Sequence, residues 1–361
     1  MTAMKVMLAM SGGVDSSVAG VLLQQQGHDV VGVTMKLWGG DSDSGCCSVS
    51  DVDDARRVAQ QLDIDHLVFN FGDDFNQHVV APYVRDHAAG ITPNPCVECN
   101  RHLKFDRLLR RADQLGFDSV ATGHHARIDQ RPDGSYLLRR GADAAKDQSY
   151  VVHMLGQEAL ARTMFPVGDI EKSEVRRLAA DMGLRTASKP DSQDVCFITS
   201  TGGRETFLGD RIPFKPGRVV DLAGVQLGVV ESIEMVTIGQ RRGIGLPGGG
   251  PKRYVLDVDV SRGLVVVGDD ADTQVRELLV ESLTWGSDPV HGDVLVQCSA
   301  HGEPQRGHLT LDGSRAIIEW AEPQRRIAPG QSVVLYEVTN RYVLGGGTAV
   351  TRRVADDSAP L

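Results

Sequence analysis

The run Val6-Met7-Leu8-Ala9-Met10 constrains this chain more than any other segment. Five consecutive apolar residues show no polar alternation, so a strand made from them must be covered on both faces. The run stops at Ser11-Gly12-Gly13, and Ser16 to Gln26 then carries a helical pattern with Gly27 as its stop. The rhythm repeats. Strands are predicted at Val30–Leu37, Leu67–Phe71 and Ser119–Thr122, and a helix at Asp51–Leu62 with Val52, Ala55, Val58, Ala59 and Leu62 on one face. Strands alternating with helices imply an α/β domain with a doubly wound parallel sheet. Ligands of such sheets sit beyond the carboxyl ends of the strands, which draws attention to Ser11-Gly12-Gly13 and to Gly123-His124-His125.

Near residue 200 the pattern changes to short alternating segments rich in Gly and Val: Arg218–Asp221, Tyr254–Val260 and Leu264–Val267. Further strand-like runs follow at Val294–Cys298, Gly307–Leu311, Ala316–Trp320, Ser332–Val338 and Tyr342–Leu344. The expected organisation is an α/β domain over 1–205, a small β-rich central domain over 206–272 and an antiparallel β-barrel over 273–361. The net charge is −10, with −6 in residues 1–199 and −4 in the remainder. That balance argues against binding nucleic acid through overall charge and requires any polyanion to be held by local basic patches. Six cysteines are too few to staple 361 residues, and no export signal or membrane span is visible, so a cytoplasmic protein with reduced thiols is expected.

The segment Ser11-Gly12-Gly13-Val14-Asp15-Ser16-Ser17 has what a phosphate needs. Two glycines permit close backbone approach, a helix start supplies N–H donors and a positive dipole end, and hydroxyls add donors. It lacks the Gly-Lys-[Ser/Thr] ending of a Walker A loop and the Rossmann glycine pattern. The plain structural alternative is a glycine turn capped by Asp15 or Ser16.

Cys96 and Cys99 form a Cys-x-x-Cys beside a second helix start, with Asn94 as N-cap, Pro95 as first helical residue, and Phe105, Leu108, Leu109, Ala112 and Leu115 as the apolar stripe. A helix N-terminus stabilises a thiolate, and Arg101 and Lys104 reinforce it. The competing readings are two small buried residues or half of a zinc site, which lacks a second Cys-x-x-Cys. The same helix presents Arg101, Lys104, Arg107, Arg110 and Arg111 against Asp106, either a solvated face or a track for a phosphate backbone. Arg139-Arg140, Arg241-Arg242, Lys252-Arg253 and Arg325-Arg326 are further basic pairs.

The glycine loop resembles the PP-loop of the ATP pyrophosphatase superfamily, and the match narrows to the bacterial tRNA-specific 2-thiouridylases. The resembling segments are Ala9–Ser17, Met35-Lys36, Thr92–Pro95, Cys99-Asn100, Lys104-Phe105, Ala121–His124, Lys146–Tyr150, Phe165–Gly168, Lys189–Ser192, Cys196–Ile198, Gly239–Arg241 and Pro329–Gln331, in family order across nearly the whole chain. The resemblance implies an adenine nucleotide hydrolase-like sheet and a tRNA-uridine 2-sulfurtransferase. ATP, with Mg2+, would adenylate the 2-oxygen of the wobble uridine, and sulfur would replace it, giving 2-thiouridine, AMP and pyrophosphate. Cys99 takes the family's nucleophile position and Cys196 that of the persulfide carrier, ending as a Cys99–Cys196 disulfide. ATP would lie on Ala9, Met10, Ser11, Gly12, Gly13, Val14, Asp15, Ser16, Met35 and Gly123. Asn94, Pro95 and Cys96 would line the target base, and His124, Lys146, Asp147, Gln148 and Gln331 would contact tRNA. Implied partners are the tRNAs reading Lys, Glu and Gln codons and a cysteine desulfurase or sulfur-relay protein, with the enzyme a monomer.

The chain departs from the family pattern at two places. Many members carry an acidic residue where this chain has Cys96, and the family's Arg-Tyr-Arg segment in the last domain is replaced near Ser299-Ala300-His301-Gly302. The first departure opens an alternative in which Cys96, Cys99 and Cys196 hold three corners of a [4Fe–4S] cluster. Cys46, Cys47 and Cys298 read as ordinary thiols. An amide-forming synthetase or a tRNA lysidine synthetase would not need the Cys99/Cys196 pair, and a non-catalytic RNA-binding protein would leave the loop Ser11–Ser17 without a purpose.

Overall fold

The structure, a computed structural model, describes residues 3–38, 49–191, 195–198, 203–248 and 250–350. Strands β1 (Lys5–Ala9), β2 (Asp29–Lys36), β3 (His66–Asn70) and β4 (Ser119–Ala121) are followed by a hairpin of β5 (Ala126–Gln130) and β6 (Tyr136–Arg140) and by β7 (Thr163–Met164). All but the hairpin join one parallel sheet in the order β3-β2-β1-β4-β7. Its central strand is the apolar run, with Met7 paired to Val31 on one side and Val120 on the other.

The two-residue period of the strand explains why every position of that run is apolar. Val6, Leu8 and Met10 enter a core built with helices α1 (Val14–Gln25) and α2 (Val49–Gln61) and with the helix Lys172–Asp181. Met7 and Ala9 enter the opposite core with Phe75, Tyr83, Leu103, Leu108 and barrel residues Val334, Tyr336 and Val343. A polar residue anywhere from Val6 to Met10 would be stranded without water.

The central domain is a four-stranded sheet of β8 (Gly217–Val220), β9 (Gln226–Val230), β10 (Tyr254–Asp259) and β11 (Leu264–Gly268), ordered β10-β11-β8-β9. Strands β12 (Gln274–Trp285), β13 (Gly292–Gln297), β14 (Gln305–Asp312), β15 (Arg315–Arg325), β16 (Ser332–Tyr336) and β17 (Val343–Val350) close a barrel in the order β12-β15-β14-β13-β16-β17. The expected sheet, β-rich centre and antiparallel barrel are therefore present. Strand β12 escapes the sequence reading because Arg276, Glu277 and Glu281 interrupt it, and register shifts at Val275/Glu277 and Glu281/Thr284 break its alternation. The hairpin β5–β6 also escapes it, although Pro132-Asp133-Gly134 marks its turn.

Barrel and sheet domain are joined by buried polar contacts rather than by linkers alone. Tyr336 is fully buried, and the Arg140 guanidinium lies 3.7 Å over its ring. The same guanidinium donates to Asp147 at 2.6 Å, Gln297 at 2.8 Å and Asn340 at 3.0 Å. The Tyr150 hydroxyl donates to the Ser332 carbonyl at 2.8 Å. The basic pair Arg139-Arg140 is thus no phosphate track. Arg140 is spent inside the interface, and Arg139 is held by Asp129 at 2.9 Å.

Two histidines are buried in these cores. His87 packs edge-on against Tyr83, and His153 hydrogen-bonds through Nδ1–H to the Tyr150 carbonyl at 2.9 Å. Burial, with lesser contributions from Arg204 and Arg101 respectively, pushes each down to about 4 from 6.5. Between those values the unfolded chain binds protons that the folded chain refuses, so stability is full above pH 6.5 and falls as pH drops toward 4. The urea unfolding midpoint should therefore decrease from pH 7 to pH 5, a window above the ordinary carboxylate range. An unchanged midpoint across it would show that these imidazoles are not held neutral.

Candidate active site

Strand β1 hands over to α1 through the glycine loop. Gly12 has φ +70°, and a Cβ there would collide with the Asp51 carbonyl oxygen, so only glycine fits. Gly13 is the extended N-cap of α1, and no side chain caps this helix. The Ser16 and Ser17 hydroxyls instead donate to the Gly13 carbonyl at 3.1 and 2.9 Å, and Ser16 Oγ accepts from Ser11 N at 3.3 Å. The turn is not capped by Asp15 or Ser16, and its helix start keeps the donor character that anions use. Gly123, at the end of β4, closes the other wall: a Cβ there would stand 2.6 Å from Ser16 N.

Asp15 points not to its own helix but to a lysine and a histidine. Lys172 Nζ donates to both carboxylate oxygens at 2.6 and 2.7 Å, and His125 Nε2 lies 3.1 Å away. Burial alone would raise the Asp15 carboxyl, but hydrogen bonds from His125 and Lys172 and their charges hold it below its ordinary value. Lys172 also meets Asp191 at 3.0 Å, and Lys146 and Arg176 reach the same Asp191 carboxylate at 2.8 and 2.7 Å. Burial acts to raise Asp191, yet Lys146 and Lys172 hold it down to about 2. Lys189, two residues earlier, binds Asp51 at 2.6 Å and Asp54 at 2.8 Å on α2. The segment 189–191 is thereby pinned on both flanks of the glycine loop. Lys172 escapes the sequence reading, because a lysine opening a helix reads as solvated; His125 lies in the Gly123-His124-His125 strand end that the sequence marks, but its bond to Asp15 becomes visible only in the fold.

The second helix start forms as its residues dictate. Asn94 Oδ1 accepts from Val97 N at 3.3 Å, and Pro95 opens the helix. The helix runs Pro95–Cys99, widens into π-type turns over Asn100–Arg107, and continues as Leu108–Gln114. Such widened turns concentrate at functional sites, and this one begins next to Cys99. Cys99 is buried and Cys96 half-buried. Cys196 is half-buried and packs against the same apolar core that holds Cys99. Two features fix its segment. Val195 has φ +49°, a costly conformation for a β-branched residue, on the order of 1–3 kcal/mol. Phe197 is buried among Trp38, Phe75, Tyr83 and Phe207, with ring centroids 5.2 to 6.3 Å away. Cys298 lies in the barrel, where burial pushes its thiol up to about 12 and makes it a poor nucleophile. Cys46, Cys47 and Ser192 lie outside the described residues.

Among the described residues, no three His, Cys, Asp or Glu side chains converge as metal ligands. Cys96, Cys99 and Cys196 are among those residues and are not grouped in that way.

Met35 is buried near the carboxyl end of β2, and its neighbour Lys36 lines a cavity of about 400 Å3 with Trp38, Asn70 and Asp73 beyond β2 and β3. His124 is buried between Phe105 and Phe165, bonded through Nδ1 to Thr122 at 2.7 Å, and burial keeps it far below its usual value. Lys146 is exposed, whereas Asp147 is turned inward toward Arg140 and Ser149. Gln148 accepts from His125 N at 2.9 Å, and Gln331 donates to the Thr92 carbonyl at 2.7 Å, tying the barrel to the Asn94 loop. The basic helix has more acidic company than its sequence indicates. Arg107 meets Asp74 at 3.2 Å, Arg110 meets Asp106 at 2.6 Å and Arg101 meets Glu98 at 3.6 Å.

The comparisons with known proteins agree along the chain. The tRNA methyl transferase HUP domain family matches residues 4–200, the tRNA methyl transferase PRC-barrel domain family residues 205–269, and the aminomethyltransferase beta-barrel domain family residues 275–349. The tRNA-specific 2-thiouridylase MnmA of Heliobacterium modesticaldum is 45% identical over 358 residues, covering 96% of this chain and 92% of that protein. Its counterpart in Herpetosiphon aurantiacus is 44% identical over 357 residues, covering 97% and 99%. A solved structure of the U34-tRNA thiolase NcsA from Methanococcus maripaludis with its [4Fe-4S] cluster aligns at 20% identity and a TM-score of 0.36, over 53% of this chain and 61% of that one. No helix among the described residues is long and apolar enough to cross a membrane. With near-complete coverage at this identity, the chain belongs to the family of tRNA-specific 2-thiouridylases.

Proposed function

We propose that this protein is an ATP-dependent tRNA-uridine 2-sulfurtransferase of the cytoplasm, converting the wobble uridine to 2-thiouridine. One observation carries the reading. The segment that leads to Cys196 is fastened to both flanks of the glycine loop, through Lys189 to Asp51 and through Asp191 and Lys172 to Asp15. A nucleotide-activating loop and a sulfur-bearing segment are built as one unit.

ATP, entering as its Mg2+ complex, is held by Ala9 to Ser16 with Met35 and Gly123. The uridine 2-oxygen attacks the α-phosphorus, pyrophosphate departs, and the oxygen becomes part of an AMP leaving group. Cys196 carries a persulfide received from a cysteine desulfurase or sulfur-relay protein. Its terminal sulfur attacks C2, and AMP leaves with the oxygen. The Cys99 thiolate then attacks Cys196 Sγ; that S–S bond breaks, its electron pair stays on the transferred sulfur, and a Cys99–Cys196 disulfide remains for an external thiol to reduce. Cys99 suits this role by its place, buried at the end of the helix Pro95–Cys99 in the same apolar core that Cys196 packs against. Asn94, Pro95 and Cys96 line the splayed base, as single-stranded RNA bases require. Lys146 and Gln148 offer surface contacts, while His124, Asp147 and Gln331 act by shaping the wall. The iron–sulfur alternative is not favoured, since the relatives that match nearly the whole chain are named as 2-thiouridylases without a cluster.

Nucleoside mass spectrometry of tRNA incubated with ATP and a persulfide donor tests the sulfur route. Cys99→Ser and Cys196→Ser should each lower 2-thiouridine by more than about 100-fold, a loss near 2.7 kcal/mol of transition-state stabilisation or larger. Full activity in either variant would end the proposed route.

The basic helix generates a separate expectation. Surface ion pairs such as Arg107–Asp74 and Arg110–Asp106 are weak, so a phosphate backbone can replace the carboxylates. The double variant Arg107→Glu/Arg110→Glu should weaken tRNA binding and reduce the slope of log K against log salt by about 1–2. An unaltered slope would make this helix a solvated face.

A further inference from the structure

Lys146, Lys172 and Arg176 all point at one carboxylate. Lys146 Nζ reaches Asp191 Oδ2 at 2.8 Å, and Lys172 Nζ and Arg176 Nη2 reach Oδ1 at 3.0 and 2.7 Å. Three cations around two oxygens is more positive charge than one carboxylate needs. It is the arrangement that receives a multiply charged oxyanion. The cluster also stands beside the glycine loop, because Lys172 bridges Asp191 to Asp15 in the first turn of α1.

We infer that Lys146, Lys172 and Arg176 form a site for the pyrophosphate portion of ATP and for released pyrophosphate, and that Asp191 holds that site while no nucleotide is bound. The inference rests on the ATP-dependent reading above and adds to it an anion subsite and an internal competitor. Charge accounting makes the competition necessary. The acidic groups facing the three cations are Asp191, Asp15 and Asp143, whose carboxylate accepts from Lys172 N at 3.0 Å. Three positive and three negative charges cancel, leaving no net attraction for a polyanion. Removal of Asp191 leaves one surplus positive charge in a half-shielded setting, where Coulomb attraction exceeds its value in open water. The cations themselves need not move. Lys172 remains on Asp15, and Arg176 remains fastened to the Ala187 and Lys189 carbonyls at 2.9 and 3.1 Å. The low Asp191 proton affinity agrees, for it keeps the stand-in ionised.

The exchange has a mechanical consequence. Asp191 and Cys196 lie on one segment, which is also held by Lys189 on Asp51 and Asp54 and by Arg176 on the Ala187 and Lys189 carbonyls. Displacing Asp191 releases the side-chain clamp nearest Cys196 and leaves the others in place, so the sulfur-bearing segment is held less firmly when the pyrophosphate site is filled.

The test is titration calorimetry of the full nucleotide-free chain with inorganic pyrophosphate, without tRNA. Asp191→Asn, which keeps the shape and removes the competing charge, should bind pyrophosphate about 10-fold more tightly than the unaltered chain, or about 1.4 kcal/mol. Lys146→Gln, at an exposed position where folding is not at risk, should bind it about 10-fold more weakly. Affinities within twofold of the unaltered chain in both variants would overturn the site. Peptide mass spectrometry after a timed iodoacetamide pulse reads the displacement. Saturating pyrophosphate should raise Cys196 labelling several-fold in the unaltered chain and leave it unchanged in Asp191→Asn, where labelling is already high. Equal labelling of the unaltered chain with and without pyrophosphate would overturn the exchange. The two readings also fail separately. Altered pyrophosphate affinities in a chain that cannot thiolate tRNA would count against the sulfurtransferase reading and support the anion site. Unaltered affinities in an active enzyme would do the reverse.

Discussion

The ion pair between Asp15 and Lys172 is the contact on which the arrangement of this site depends. Asp15 stands in the first turn of α1, and Lys172 is the first residue of the helix Lys172–Asp181, far along the chain. Their helices pack side by side in the core under one face of the sheet. The pair therefore fixes the glycine loop relative to the chain leading to Cys196, and its low exposure makes its geometry costly to abandon. Removing either partner would leave the other charged, enclosed and still attached to a functional segment.

A second constraint acts from the opposite face of the sheet. Tyr336 and Val343 of the barrel belong to the same apolar core as Met7, Cys99 and Phe197. Arg140 lies over the Tyr336 ring and is bonded at three further points, so the barrel cannot slide without uncovering a cation. Gln331 and the Thr92 N–H contact with Pro329 extend this grip to the loop before Asn94. The position of the Asn94 helix start is thus set partly by the barrel.

The elements that could be read from sequence were those whose cause is local. The two-sided burial of β1 is written in five apolar letters, and the helix start at Asn94-Pro95 in a capping residue followed by a residue without an N–H. Both appear where expected, within a residue. What sequence did not show depends on partners distant in the chain. The roles of Lys172 and Arg140 are invisible locally, because the same residues on a helix and a strand elsewhere would be solvated. Strand β12 is hidden by its bulges. Asp74 neutralises Arg107 from a helix 33 positions away, so a helix face that reads as strongly basic is only mildly so. The resemblance to a known family carried assignments such as Cys196 that no periodicity would supply.

The acidity of the chain follows from the same accounting. Most cations near the site already have a carboxylate: Arg107 with Asp74, Arg110 with Asp106, Lys189 with Asp51, and Lys146 with Asp191. A protein that handles two polyanions, a nucleotide and an RNA, would hold both too tightly if those cations stood bare. Pairing the exposed ones, Arg107, Arg110 and Lys146, with a displaceable carboxylate lowers affinity for either polyanion and makes binding an exchange of partners rather than a net gain of charge. In that arrangement a net charge of −10 is compatible with an RNA substrate, because an exchangeable ion pair is near neutrality until its carboxylate leaves and then offers a phosphate a cation.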